Sequence, residues 1–186
     1  MGVLIVLVVL AVLAVLIAGA AIGIYNKLVR KRNGVDNAWA QIGVQLKRRY
    51  DLIPNLIVTV KGYAAHERQT FESVTAARVA AMAATGPVEK AKAENALTSA
   101  LRSVFAVAEA YPQLQASRNF SELQGELSDT ENRIAYSRQY YNDAVLTYNS
   151  AVQTVPSNIV AGTFGFGPRE FFTAPESDRG PVHVRF

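Results

Sequence analysis

Apolar and polar positions follow three patterns along this chain. Residues 3 to 25, VLIVLVVLAVLAVLIAGAAIGIY, carry no charge and no strongly polar side chain. From Trp39 the apolar positions thin to every third or fourth residue, at Ile42, Leu46, Tyr50, Ile53, Ile57 and Val60. That spacing is the period of an amphipathic helix. From Thr173 the stretch TAPESDRGPVHVRF keeps no period and reads as a disordered tail.

The first pattern predicts a transmembrane helix. As a helix its 23 residues extend about 35 Å, enough for a hydrocarbon layer of roughly 30 Å. A cleaved secretory signal would need a positive start and a shorter apolar run. AGAA at 18–21 has the small residues of a cleavage site, but Met1 and Gly2 supply no side-chain charge ahead of the run.

The second pattern predicts long helices. RNGVDNAW leaves two courses open. Asn33-Gly34 can stop one helix, with Asp36 or Asn37 capping the next, or the helix can run through Gly34. The first long bundle helix is expected over 36–84, its stripe resuming after Pro54 at Val60, Ala64, Phe71 and Val74. Pro87 and the acids after it mark the next start. Leu97, Leu101, Val104, Ala108 and Tyr111 then form a face that Pro112 ends, with QLQASR as a connection. Asn119 with Glu122 offers a capping pair for a last helix running to Pro156, about 55 Å long. NIVAGTFGFGPREFF reads as a short helix or loop closing the bundle.

No useful stretch alternates at period two. The fold class is therefore all-α: an N-terminal transmembrane helix followed by an up-down-up antiparallel bundle of long helices. The segments are a span over 1–25, a basic juxtamembrane piece over 26–35, a bundle over 36–172 and a tail over 173–186.

Charge sharpens this picture. Between Lys27 and Lys61 lie eight basic residues against Asp36 and Asp51, while 62–186 holds eleven basic and thirteen acidic. Lys27, Arg30, Lys31 and Arg32 follow the span before any acid. Positive-inside asymmetry then puts the bundle in the cytoplasm and the N-terminus outside. The same four cations are expected to contact anionic lipid headgroups, at about 1 kcal/mol each. A basic stripe next to a bilayer already has a partner, so nucleic acid is not expected. The absence of cysteine excludes disulfides, thiol catalysis, thiolate metal sites and a lipoprotein anchor.

Little in the sequence points to catalysis. His66-Glu67 begins a zincin-like motif, but the second histidine belongs at position 70, where Thr stands, and the other histidine is His183. Glu126, Asp129 and Glu131 read as a solvated acidic face, without the Glu-x-x-His ligands of di-iron bundles. Tyr50, Tyr63, Tyr111, Tyr136, Tyr140, Tyr141 and Tyr148 read as core rings with paired hydroxyls, an aromatic ligand pocket being the alternative. No catalytic, cofactor-binding or metal-binding residue is assigned.

Pro54 breaks the helical ladder and frees the carbonyl of Tyr50. A fixed kink is expected there, with Asn142, Asn149 or Arg133 of the last helix reaching the freed group, and a functional hinge is the alternative. Gly19 and Gly23 form a GxxxG in the span, a small-residue face that suits self-association.

YNKLVRKRNGVDNAWAQIGVQLKRRYDLIPNLIVTVKGYAAHE resembles the N-terminal signature of the LemA family. ENALTSALRSVFAVAEAYPQLQASRNFSELQGELSDTENRIAYSRQYYNDAVLTYNSAV and VPSNIVAGTFGF are similar to its later segments, in order, up to about Phe172. The resemblance implies a bacterial membrane protein with one N-terminal span, a cytoplasmic antiparallel bundle and no established enzymatic activity. It also implies a link to a membrane protease of the HtpX kind. Together these readings lead to a membrane-anchored scaffold or adaptor at the inner membrane, working through homo-oligomers or other membrane proteins. The alternatives are a metal-dependent hydrolase and a small-ligand sensor.

Overall fold

The structure is a computed structural model that describes residues 1–173. The tail expected over 173–186, with His183, lies past Thr173 outside the described residues. Six helices occur among the described residues: α1 (Gly2–Lys61), α2 (Arg68–Ala83), α3 (Gly86–Glu109), α4 (Pro112–Gln115), α5 (Arg118–Gln153) and α6 (Ser157–Thr163). No strand occurs among them, so the all-α class stands.

The helix α1 resolves the choice at Gly34: it runs through without a stop. Asp36 is then inside a helix rather than capping one, and it pairs with Arg169 at 2.9 Å. Residues 1–20 of α1 are exposed throughout. Burial then settles on one face, at Leu28, Val35, Ala38, Ile42, Leu46, Tyr50, Ile53, Leu56 and Val60. Each fully buried Leu or Ile side chain contributes about 1.5–3 kcal/mol, so this stripe holds the helix in place.

The expected helix over 36–84 is in fact two helices. α1 ends at Lys61, residues 62–67 turn, and α2 begins at Arg68. Gly62 loses more backbone freedom in a helix than any other residue type would, which favours an end there. The Ala64 and Tyr63 amides both fold back on the Val60 carbonyl, at 2.9 and 3.0 Å. The stripe at Val60, Ala64, Phe71 and Val74 is buried as read, but it crosses a reversal. Two smaller boundaries also move. QLQASR contains most of α4, and α5 starts at Arg118, so Asn119 is not its cap and Glu122 pairs with Arg118 instead.

The described chain forms two compact units. One joins residues 1–39 with 142–169. Its core is Leu28, Val35, Ala38, Val145, Tyr148, Val160, Ala161 and Phe166. The other comprises 40–141 and the residues from Glu170 onward. Within it the side chains fix the directions of the helices. Tyr50 meets Ala81 while Ile57 and Lys61 lie beside Phe71 and Glu72, so α2 runs antiparallel to α1. Arg49 meets Glu131 while Asn55 and Thr59 lie beside Asn119 and Glu122, so α5 runs antiparallel to α1 as well. α2 and α3 reverse through Thr85, where Glu89 accepts from both the Thr85 amide and hydroxyl. Gly86 supplies the positive φ of 73° that this reversal needs.

α1 continues through Pro54. The Tyr50 carbonyl that proline leaves free accepts a hydrogen bond from Arg78 Nε of α2 at 2.8 Å. A partner therefore comes from α2, where Asn142, Asn149 or Arg133 of α5 was expected. Arg133 bonds Asp129, and Asn149 bonds the backbone of Arg169. Sequence reading could not place Arg78 there because it took α1 and α2 as one helix. Replacing Arg78 with Met should cost about 1–3 kcal/mol, the penalty of stranding a half-buried acceptor. In a Pro54→Ala background the residue-54 amide supplies that partner, so the Arg78→Met cost should largely vanish. A thermal-unfolding double-mutant cycle measures this, and an equal cost in both backgrounds would contradict the account.

Candidate functional site

Two places gather polar and charged side chains, one in each unit. The first is the end of the span. Gly19 and Gly23 have nothing within 4 Å of where a Cβ would stand, so that face of the helix is open. Of the four cations, Lys27 and Arg30 are exposed, while Lys31 and Arg32 are partly covered. Arg32 lays its guanidinium over the Phe166 ring, 5.1 Å from the centroid, and so is not simply a headgroup contact. Lys27 and Lys31 both line a cleft of about 640 Å³.

Below them, residues 164–169 are tied to the same unit by backbone contacts. Gly165 turns the chain with a φ of 70°. Tyr148 donates its hydroxyl to the Gly167 carbonyl at 3.0 Å, and burial raises its pKa against the opposing pull of Arg169 and Arg32. Asn149 exchanges a pair of 2.8 Å hydrogen bonds with the Arg169 backbone.

The second place is a buried cluster between α1, α3 and α5. Arg49 is 4 % exposed and Glu94 is 2 % exposed, the two deepest charges among the described residues. The Arg49 guanidinium reaches Glu94 at 3.3 Å, Glu131 at 3.0 Å and Thr98 Oγ1 at 2.6 Å. The Tyr50 hydroxyl lies against Glu94 and 3.2 Å from the Ala81 carbonyl, which also accepts from Lys90 at 2.7 Å. Burial raises the Glu94 pKa most, opposed by the Tyr50 hydroxyl, Arg49 and Lys90. Burial likewise raises the Tyr50 pKa, so its hydroxyl stays protonated. A cleft of about 270 Å³ opens beside Arg49, but its guanidinium already has three partners.

Sequence reading missed this cluster, although its signal was present. Glu94 falls in step with Ala91, Leu97 and Leu101, and Arg49 lies between Leu46 and Ile53, so both charges sit on apolar stripes. The residues that sequence did single out for chemistry are not brought together. His66 and Glu67 lie in the turn between α1 and α2, not on a helix face, and His66 is exposed. The acidic face is ion-paired throughout: Glu126 with Arg48, Asp129 with Arg133, and Glu131 with Arg49. Of the seven tyrosines named from the sequence, Tyr50, Tyr141 and Tyr148 are buried with bonded hydroxyls, Tyr111 is partly covered, and Tyr63, Tyr136 and Tyr140 are exposed. No group of three His, Asp or Glu side chains placed to hold a metal occurs among the described residues.

Removing one partner of such a buried pair is expected to be costly, whereas removing both need not be. Arg49→Met should destabilise the protein by about 3–5 kcal/mol near neutral pH, and adding Glu94→Leu should recover much of that loss. The raised Glu94 pKa also gives a sign for pH. Its contribution is complete below the ordinary carboxylate range and is lost as pH rises through the raised value. Without Arg49 only the Tyr50 hydroxyl and Lys90 oppose the desolvation, so Arg49→Met should lose stability more steeply across that window than the wild type. Parallel pH profiles of melting temperature would contradict this.

The sequence model of the LemA family matches residues 38–186, from the end of the juxtamembrane stretch onward. Protein LemA of Metamycoplasma hominis is 28% identical over 165 residues, spanning 87% of this chain and 74% of that relative. Magnetosome protein MamQ 2 of Paramagnetospirillum magneticum is 26% identical, spanning 85% of this chain and 68% of its own length. Magnetosome protein MamQ of Magnetospirillum gryphiswaldense matches at the same identity and the same shares. With four-fifths of its length under that family match, and with the helical architecture that its motifs imply, the chain belongs to the LemA family.

Proposed function

We propose that this protein is a non-enzymatic scaffold or adaptor of a bacterial inner membrane, held by one span with its bundle in the cytoplasm. The observation that carries this reading is the character of α1. Among the described residues it is the one helix long and apolar enough to cross a membrane, and its most apolar stretch is wholly unburied. The same helix then supplies the buried stripe of both units. A stretch this apolar with no protein packed on it needs another apolar phase, and a bilayer provides one.

Assembly is the proposed mode of action. The open Gly19–Gly23 face supports close approach of two spans. Exposed Val58, Val79 and Met82, with an apolar groove lined by Ile57, Phe71 and Ala80, support contact with other proteins. A membrane protease of the HtpX kind is the first such partner to test. The magnetosome name borne by the MamQ relatives supports a role in organising a membrane structure, beside one in protein quality control.

Full-length protein in several mild detergents should run larger than a monomer in mass-sensitive chromatography. Gly19→Leu combined with Gly23→Leu should weaken that state by holding the spans apart. A monomer at high concentration in every detergent would refute the homo-oligomer and leave the surface to a different partner. For orientation, a reporter fused after Phe186 should resist protease added outside intact cells, and its cleavage would reverse the proposed topology.

A further inference from the structure

The last turn of the span is not bare. Residues 1–20 are exposed, but Ala21 and Ile24 are partly covered and Leu28 is buried. What meets this turn is the segment that ends α5 and forms α6. Ile24, Lys27 and Lys31 line one side of the cleft there, and Leu146, Val155 and Pro156 line the other. The Tyr25 ring lies edge-on to Phe164 and Phe166, with centroids 5.0 and 5.5 Å away. Lys27 is the first charge after the apolar run, so the bilayer surface falls near Tyr25 along α1. Residues 155–164 therefore sit at the level of that surface.

Val160 and Ala161 face the core, while three other apolar side chains of the segment turn outward. Val155 is 72 % exposed, Ile159 67 % and Phe164 60 %. Gathered exposed apolar side chains mark contact surfaces. At a bilayer surface the same side chains are well placed, because the interface takes aromatic and apolar groups while anionic headgroups attract nearby cations. Two lysines on the cleft rim set the sign of the ligand. A second copy of the chain fits this place poorly, since it would bring like-charged lysines together.

We propose that residues 155–164 form a second bilayer contact, in which Val155, Ile159 and Phe164 enter the interfacial layer beside the span. Lys27 and Lys31 hold the headgroup of an anionic phospholipid in the adjoining cleft. The inference rests on the reading of α1 as a membrane span and adds a fixed depth for it: the contact stops the helix from sliding through the bilayer.

The absence of cysteine from the sequence makes the test clean. Ile159→Cys, Leu10→Cys and Asn37→Cys are each labelled with an environment-sensitive fluorophore in the full-length protein. Asn37 is exposed on α1, about 18 Å beyond Tyr25. The proteins are reconstituted in phosphatidylcholine vesicles with and without phosphatidylglycerol, and with lipids spin-labelled at shallow or deep positions. The label at 159 should be blue-shifted and quenched several-fold more by the shallow spin label than the label at 37, and the label at 10 should be quenched by the deep one. Phosphatidylglycerol should strengthen quenching at 159, and Lys27→Gln with Lys31→Gln should abolish that gain. A water-exposed label at 159 with a deep label at 10 overturns the inference and leaves the span standing. A water-exposed label at 10 overturns both. A signal at 159 that fades as protein is diluted in lipid points to a second copy and overturns the bilayer contact. A signal at 159 that is indifferent to phosphatidylglycerol overturns the anionic headgroup in the cleft.

Discussion

Inside a hydrocarbon layer each backbone amide and carbonyl must find its partner within the protein, and a lone span can do so only as a helix. α1 meets that demand over residues 2–25 and then does not stop. No proline or strong cap interrupts it at the boundary, and Gly34 is carried through at a cost of roughly 1 kcal/mol relative to alanine. The rest of the structure depends on this unbroken ladder. The side chains change from uniformly apolar to one-faced at Lys27, and from there the helix presents the stripe that both units bury.

Pro54 is where the ladder is weakest, and its environment shows how the fold compensates. The Tyr50 carbonyl gains Arg78, while the Tyr50 hydroxyl joins Glu94 and the Ala81 carbonyl. One residue thus links the proline site of α1 to α2 and to the buried charges of α3. Arg49, its neighbour in sequence, extends the same network to Thr98 and Glu131. Polar groups this deep stabilise little by themselves, but they penalise any packing that leaves one of them unpaired.

Much of the fold was legible because the signals were long. An apolar run of 23 residues and stripes at threes and fours specify a span and amphipathic helices whatever the tertiary details. The reversal at 62–67 was not legible, since Val60, Ala64 and Phe71 keep helical spacing across it and period alone cannot tell a continuing helix from a turn that keeps the same side inward. The site was less legible for a related reason. Arg49 and Glu94 look like ordinary surface charges until the stripes are overlaid, and their pairing joins residues 45 apart in sequence. Lys27 and Lys31 were visible as cations, but nothing local announced that Val155 and Pro156 would line a cleft with them. Arg32, grouped with those lysines by sequence, is held over Phe166, a contact that only the returning chain creates.

Both units depend on α1 being one helix from the bilayer into the bundle, and amide hydrogen exchange across residues 26–40 tests this most directly. The full-length protein would be measured in lipid nanodiscs, where the span has its native surroundings. Continuous protection from Asn26 through Ala40, including Asn33, Gly34 and Val35, is the predicted result. Rapid exchange confined to residues 33–36 would show a hinge at the Asn-Gly pair and would contradict the shared helix on which the account rests.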